Sequence, residues 1–186
     1  TLLYDGRFLA NKVIELIQKY NVTSWGGAVP TALKRVLDDA EAQGLKMMSV
    51  LVVGGGGAPM PPELISRTKD VFPNSKYSFG YGYGLTESGA ITIINWGDNL
   101  KNEPASPGQP MPTIQVQLRD EDGELIDKDS IEGEIYVKSP SVMLGYYNNT
   151  LASKDSLTED RWLKTGDWGF KKKSLYYISS TRTDLI

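Results

Sequence analysis

Apolar positions in the first hundred residues recur at two alternating spacings. Between residues 7 and 20, Leu9, Val13, Leu16, Ile17 and Tyr20 share one face at helical spacing, and Asn21 ends the helix. Val22–Thr23–Ser24–Trp25 reads as a short strand. A second helix starts near Pro30–Thr31, where proline suits the first turn. It turns Leu33, Val36, Leu37 and Ala40 inward and closes at Gly44. Met47–Met48–Ser49–Val50–Leu51–Val52–Val53 is nearly continuous and Val-rich, the pattern of a strand buried on both faces of a parallel sheet. After Gly54–Gly57, Pro61–Pro62–Glu63 opens a third helix carrying Leu64, Ile65, Val71 and Phe72. Tyr77–Tyr81 and Ala90–Asn95 read as two further strands.

The pattern then changes. Pro104, Pro107, Gly108, Pro110 and Pro112 crowd the stretch from Gly97 to Pro112, which reads as a connecting loop and a subdomain boundary. Beyond it Ile114, Val116 and Leu118 alternate with Gln115, Gln117 and Arg119, and Ile135 and Val137 with Glu134, Tyr136 and Lys138. Asp122–Gly123 is a hairpin signal, and Lys171–Ser174 links candidate strands Trp168–Phe170 and Leu175–Ile178. No helix of any length is expected there. The fold class is α/β: a partial layered α/β subdomain with a mostly parallel sheet over residues 1–103, then a small, mostly antiparallel β subdomain, a distorted barrel, over 104–186.

Composition narrows the chemistry. Of 186 residues none is Cys and none is His, so thiolate metal sites, disulfides, the Ser-His-Asp triad and any imidazole base are excluded. The net charge of −3 argues against nucleic acid or anionic lipid as the main partner. No apolar run approaches the ~20 residues of a spanning helix, and no secretion signal opens the chain, so a cytoplasmic location is expected. With no initiator Met, and an end directly after a strongly patterned segment, both termini are expected to be cuts within a longer polypeptide.

Two clusters carry candidate chemistry. In Gly54–Gly55–Gly56–Gly57–Ala58–Pro59 a strand runs into glycines and then a helix start. Missing Cβ atoms admit a planar ligand, and a tight strand-to-helix turn explains the glycines equally well. Pro59 stands where a dinucleotide fingerprint needs its third Gly, and no Gly-Lys-Ser/Thr phosphate loop occurs. The second cluster, Tyr81–Gly82–Tyr83–Gly84–Leu85–Thr86–Glu87–Ser88–Gly89, offers an aromatic face, a hydroxyl and a carboxylate. Those groups suit a base, a phosphate and Mg²⁺, which needs few protein oxygens; a glycine-rich surface loop with a helix cap at Thr86 is the alternative.

Tyr83–Gly84–Leu85–Thr86–Glu87–Ser88 resembles the core motif of the adenylate-forming (AMP-binding) superfamily. Three further stretches resemble its motifs in order: Gly56–Pro59 the adenine-side loop, Gly133–Tyr147 the conserved barrel segment, and Trp162–Asp167 the Thr-Gly-Asp motif. Leu85, where amino-acid-adenylating domains usually have Pro, places the resemblance nearer the CoA-ligase branch. The resemblance implies that Gly56, Gly57, Ala58 and Pro59 flank adenine, that Tyr83, beside Gly84, stacks on its other side, and that Thr86 hydrogen-bonds the α-phosphate. It further implies that Glu87 binds Mg²⁺ and that Asp167 accepts both ribose hydroxyls; alone, Asp167 reads as a turn residue beside Gly166 and Gly169. Thr86 and Glu87 would be the catalytic pair. Trp25, Gly27 and Val29, with Gly82 and Gly89, fall where such enzymes line the acyl pocket, although Trp25 also suits an ordinary core aromatic.

The implied parent activates a carboxylic acid, of fatty type, with Mg-ATP and passes it to CoA. Loading a carrier protein, or binding AMP or an acyl group without catalysis, are the alternatives. The closing motif departs from the family, because Ser180–Thr181–Arg182–Thr183 stands where its Gly-Arg is expected, so the ribose-contacting Arg is either missing or displaced by one to Arg182. The phosphate loop and the C-terminal lid with its catalytic Lys lie outside these residues, so the 186-residue piece is expected to be inactive alone.

Overall fold

The computed structural model describes residues 6–75 and 79–181. The described chain forms two compact units: one runs to Tyr81 and takes in Trp96–Ala105, and the other comprises Gly82–Asn95 with the chain from Ser106 onward. Each unit draws on two separate stretches of the chain, whereas the sequence pattern suggests a single division after residue 103. Among the described residues no helix is long and apolar enough to cross a membrane.

The first unit is built on a β-α-β crossover. Helix α1 (Ala10–Tyr20) precedes strand β1 (Ser24–Ala28), α2 (Pro30–Ala42), β2 (Val52–Gly56), α3 (Pro62–Val71) and the start of β3 (Phe79–Leu85), and α4 (Gly97–Asn102) completes it. β1 and β2 pair in parallel, Trp25 opposite Val53 and Ala28 opposite Gly55, with α2 as the connection. The inward face read for α2 is correct: Leu33, Val36, Leu37 and Ala40 are fully buried. On α1 the buried stripe is Ala10, Val13, Ile14 and Ile17, so the expected face is rotated, leaving Leu9 and Tyr20 half exposed. Four residues at i, i+3, i+4 and i+7 are the tightest solution of a 3.6-residue period, and Leu9 instead becomes the residue before the first turn. Asn21 ends α1 in the left-handed conformation, as expected.

The run 47–53 is not one strand buried on both faces. Met47, Val50 and Val53 are buried, but Leu51 and Val52 are exposed and the strand begins only at Val52. It continues through Gly54–Gly56, because backbone pairing to β1, unlike side-chain packing, needs no Cβ. The core joins these faces to Leu64, Ile65, Val71, Phe72, Tyr81 and Leu100. Arg67 ties α3 to α2 through Asp38 (2.7 Å) and Glu41 (2.6 Å). The stretch read as a plain connecting loop contains α4.

In the second unit β3 leads through a 3₁₀ turn at Thr86–Ser88 into β4 (Ala90–Trp96), which pairs antiparallel with β5 (Gln109–Pro110). The Tyr83–Leu85 segment therefore lies inside a strand, not in a loop beyond one. Tyr77 and Ser78, the expected start of that strand, lie outside the described residues. A four-stranded antiparallel sheet follows, in the order β6 (Gln115–Arg119), β7 (Gly133–Lys138), β8 (Leu163–Lys172) and β9 (Leu175–Thr181). Val116 opposes Val137 and Leu118 opposes Ile135, so the expected alternation supplies one buried face. β8 and β9 are joined by Lys173 and Ser174, both at positive φ, the two-residue geometry that matches strand twist. The Asp122–Gly123 turn forms locally (Arg119 bridges Leu125), although β7 begins only at Gly133.

Helix α5 (Thr150–Ser156) lies where no helix was expected. Its seven residues bury none of their side chains, so no periodic stripe announces it. The helix is held at its start, where the Ala152 amide donates to Asn149 Oδ1 at 3.0 Å. Asn149→Ala is expected to cost α5 about 1 kcal/mol, read as faster hydrogen exchange of the 150–156 amides with the β-strand amides unchanged.

Candidate functional site

The Thr165–Gly166–Asp167 stretch is a bulge. Glu134 pairs with Trp168 and Tyr136 with Lys164, so three residues of β8 stand opposite Ile135 alone. A bulge re-aims the side chains it carries. Gly166 takes φ +73, which a Cβ would strain, and its amide donates to Glu134 Oε1 at 3.1 Å. Thr165 pins the bulge by donating to the Ile135 carbonyl (2.7 Å) while its Oγ1 accepts from the Asp167 amide (3.1 Å).

The re-aimed carboxylate meets Tyr83. The Tyr83 hydroxyl donates to Asp167 Oδ2 at 2.6 Å across 84 residues of sequence. Tyr83 is fixed from its other end as well: Thr92 donates to its carbonyl at 3.2 Å, and its side chain packs against the buried core of the second unit. Burial pushes the Tyr83 phenol well above its ordinary range, and the Asp167 charge beside it adds to the shift. The phenol thus stays a donor at neutral pH, and the Asp167 carboxylate has acceptor capacity beyond this one bond.

A second group lies on the turn after β3. Thr86 is exposed and Glu87 half-buried. Glu87 Oε1 accepts from the Tyr146 hydroxyl at 2.9 Å, and the Glu87 carbonyl accepts from the Met143 amide at 2.8 Å. Ser88 closes the turn by bonding the Leu85 and Ala90 carbonyls, and Ser141 donates to the Ser88 carbonyl at 2.8 Å. Among the described residues no group of three acidic side chains gathers to hold a metal. A single half-buried carboxylate fits Mg²⁺ that keeps its waters and leans on substrate phosphates, and it does not fit a tightly caged Ca²⁺ or Zn²⁺.

The glycine cluster belongs to the first unit. Gly56 ends β2, and Gly57, Ala58 and Pro59 are exposed before buried Met60. A Cβ on Gly57 would stand 3.4 Å from Val29 Cγ1, so the residues expected on the adenine side and in the acyl pocket are neighbours here. Trp25 packs against Phe72 with ring centroids 5.9 Å apart, the core-aromatic alternative, and Gly27 lies within β1. Gly82 and Gly84 let β4 approach β3, and Gly89 lets Ser141 approach the turn. Arg182 lies outside the described residues. Tyr146, Thr165 and Glu134 were missed as site residues, although all three stand in the stretches that carry the resemblance. Nothing in a sequence separates a phenol that holds a carboxylate from one that fills a core.

The sequence profile described as AMP-binding enzyme matches residues 2–147. A 4-coumarate–CoA ligase of Arabidopsis thaliana is 31% identical over 175 residues, 90% of this chain and 30% of that protein. A long-chain-fatty-acid–CoA ligase of Thermus thermophilus is 34% identical over 167 residues, 83% of this chain and 30% of that protein. The o-succinylbenzoate CoA synthetase of Bacillus subtilis in complex with ATP and magnesium ion superposes with a TM-score of 0.81 at 28% identity, over 97% of this chain and 36% of that one. The chain thus spans about a third of the length of the relatives it matches.

Proposed function

Because this chain belongs to the AMP-binding enzyme family, we propose that the polypeptide carrying it is an ATP-dependent acid–CoA ligase. The acid carboxylate attacks the α-phosphorus of ATP, pyrophosphate leaves, and the CoA thiol then displaces AMP from the acyl-adenylate. The observation that carries this reading is the 2.6 Å hydrogen bond between Tyr83 and Asp167 at a bulge. It couples an aromatic ring to a carboxylate, the two groups that a base and its ribose require together.

In this reading Gly56–Pro59 and Tyr83 flank adenine, Asp167 accepts the ribose hydroxyls, and Thr86 donates to the α-phosphate. Glu87 holds Mg²⁺, which when bound neutralises phosphate charge. Positioning and charge neutralisation, with no covalent enzyme intermediate, then supply the rate. Trp25, Gly27, Val29, Gly82 and Gly89 belong to the acyl side, Arg182 to the ribose side, and the cell compartment is the cytoplasm. The 186 residues alone would not turn over, because groups that neutralise the departing pyrophosphate must come from the same polypeptide's phosphate loop and lid.

The acid is of fatty or aryl type, since CoA ligases for both resemble the chain to a similar degree. The test is ATP–pyrophosphate exchange by the full-length polypeptide against a panel of fatty and aryl carboxylic acids, followed by thioester analysis with CoA. Acid-dependent exchange and an acyl-CoA product are expected. Exchange without CoA transfer would favour a carrier protein as acceptor. AMP binding without any acid-dependent exchange would reduce the protein to a binding module.

A further inference from the structure

The segment from Ser139 to Asn149 is more than a connection out of β7. It grips the turn after β3 at three points: Ser141 Oγ on the Ser88 carbonyl (2.8 Å), the Met143 amide on the Glu87 carbonyl (2.8 Å), and the Tyr146 hydroxyl on Glu87 Oε1 (2.9 Å). A Cβ on Gly89 would come within 2.5 Å of the Ser141 carbonyl, so the approach is as close as backbone allows. The segment is itself anchored. Arg161 donates to the Met143 carbonyl at 2.7 Å, and Ser153 Oγ, which donates to the Asn149 carbonyl at 2.7 Å, accepts from the Tyr146 amide at 2.8 Å. Tyr146 thus sits on a braced backbone with its hydroxyl aimed at one oxygen of an otherwise movable side chain.

A carboxylate that accepts one fixed hydrogen bond has lost its rotation about the last side-chain bond. Its second oxygen then points one way, which lowers the ordering cost of ligating a cation. We propose that Tyr146 is a positioning residue: its hydroxyl, carried on a backbone that Ser153 braces, aims the Glu87 carboxylate so that Oε2 meets the divalent cation that accompanies the nucleotide. The inference rests on Glu87 being the cation ligand of the proposed reaction, and it adds a residue whose contribution comes wholly through Glu87.

The test uses the full-length polypeptide with Mn²⁺ and a non-hydrolysable ATP analogue. Free Mn²⁺ is followed by electron paramagnetic resonance, and AMP binding without metal by calorimetry. Tyr146→Phe is expected to weaken Mn²⁺ binding to the analogue complex about 10-fold, the low end for residues that orient a metal ligand, and to leave metal-free AMP binding unchanged. Ser153→Ala is expected to give a smaller loss of the same kind, since it loosens the Tyr146 backbone and leaves the hydroxyl in place. Mn²⁺ binding by Tyr146→Phe equal to wild type would overturn the proposal while Glu87→Gln still weakens the metal. Equal losses of Mn²⁺ and AMP binding would also overturn it, because a merely structural residue moves both. If Glu87→Gln leaves Mn²⁺ binding untouched, the assignment of Glu87 itself falls, and that failure is distinguishable from the other two.

Discussion

Asp167→Ala in the full-length polypeptide is expected to lower acid-dependent pyrophosphate exchange about 100-fold. Two hydrogen bonds to a charged acceptor at about 1.5 kcal/mol each give about 3 kcal/mol, and about 1.4 kcal/mol is tenfold. The loss has a second origin inside the protein. The Tyr83 hydroxyl donates to Asp167 at 2.6 Å, and removing the acceptor takes away the charged partner that holds the phenol. The ring that would stack on adenine is then freed to move, so binding of the base suffers along with binding of the sugar. Asp167→Asn separates the two: its amide oxygen still accepts from Tyr83, but it offers fewer acceptor sites to two hydroxyls. The expected order of AMP affinity by calorimetry is wild type, Asn, Ala. An Asn variant no better than Ala would mean that the Tyr83 contact carries nothing, and wild-type exchange in both would remove Asp167 from the site.

What the sequence made legible follows from how far each feature depends on local pattern. The inward face of α2 was readable because its large apolar residues, Leu33, Val36 and Leu37, obey a helical period with no competing choice. The α1 face was misread because Leu9 and Tyr20 are apolar by type yet stand at the ends of the helix, where burial is decided by what packs there. The four glycines were read as a strand-to-helix turn because glycine is a poor strand former on average, yet Gly54–Gly56 continue β2, since pairing with β1 asks only for backbone donors and acceptors. The Thr165–Asp167 motif was recognised by likeness, but that it is a bulge is a matter of register between β7 and β8, and register is a property of two strands. Tyr146 was overlooked for the same reason. Its partner lies 59 residues away, and neither position carries a periodicity that refers to the other.

Gly84→Ala is expected to destabilise the second unit by about 3 kcal/mol, the upper end of ordinary overpacking. A Cβ built at this position lies 2.1 Å from the Ala90 carbonyl oxygen and 2.7 Å from the Ile91 Cα. Both obstacles are backbone, so no side-chain rotation relieves them, and β3 and β4 must move apart around the turn they share. That turn carries Thr86 and Glu87, and the Ser88 hydroxyl bonds both of its ends, to Leu85 and to Ala90. Spreading the strands therefore strains the Ser88 bonds and the hold of Tyr146 on Glu87 together, and cation-dependent activity should fall by more than the stability loss alone accounts for. Gly26→Ala is the matched control: it is also a glycine in a strand, at ordinary φ, and its added Cβ meets nothing within 4 Å. Thermal unfolding of the two variants should differ by several degrees, with Gly26→Ala close to wild type. Coincident melting curves would show that β4 does not close on β3 as tightly as these distances require.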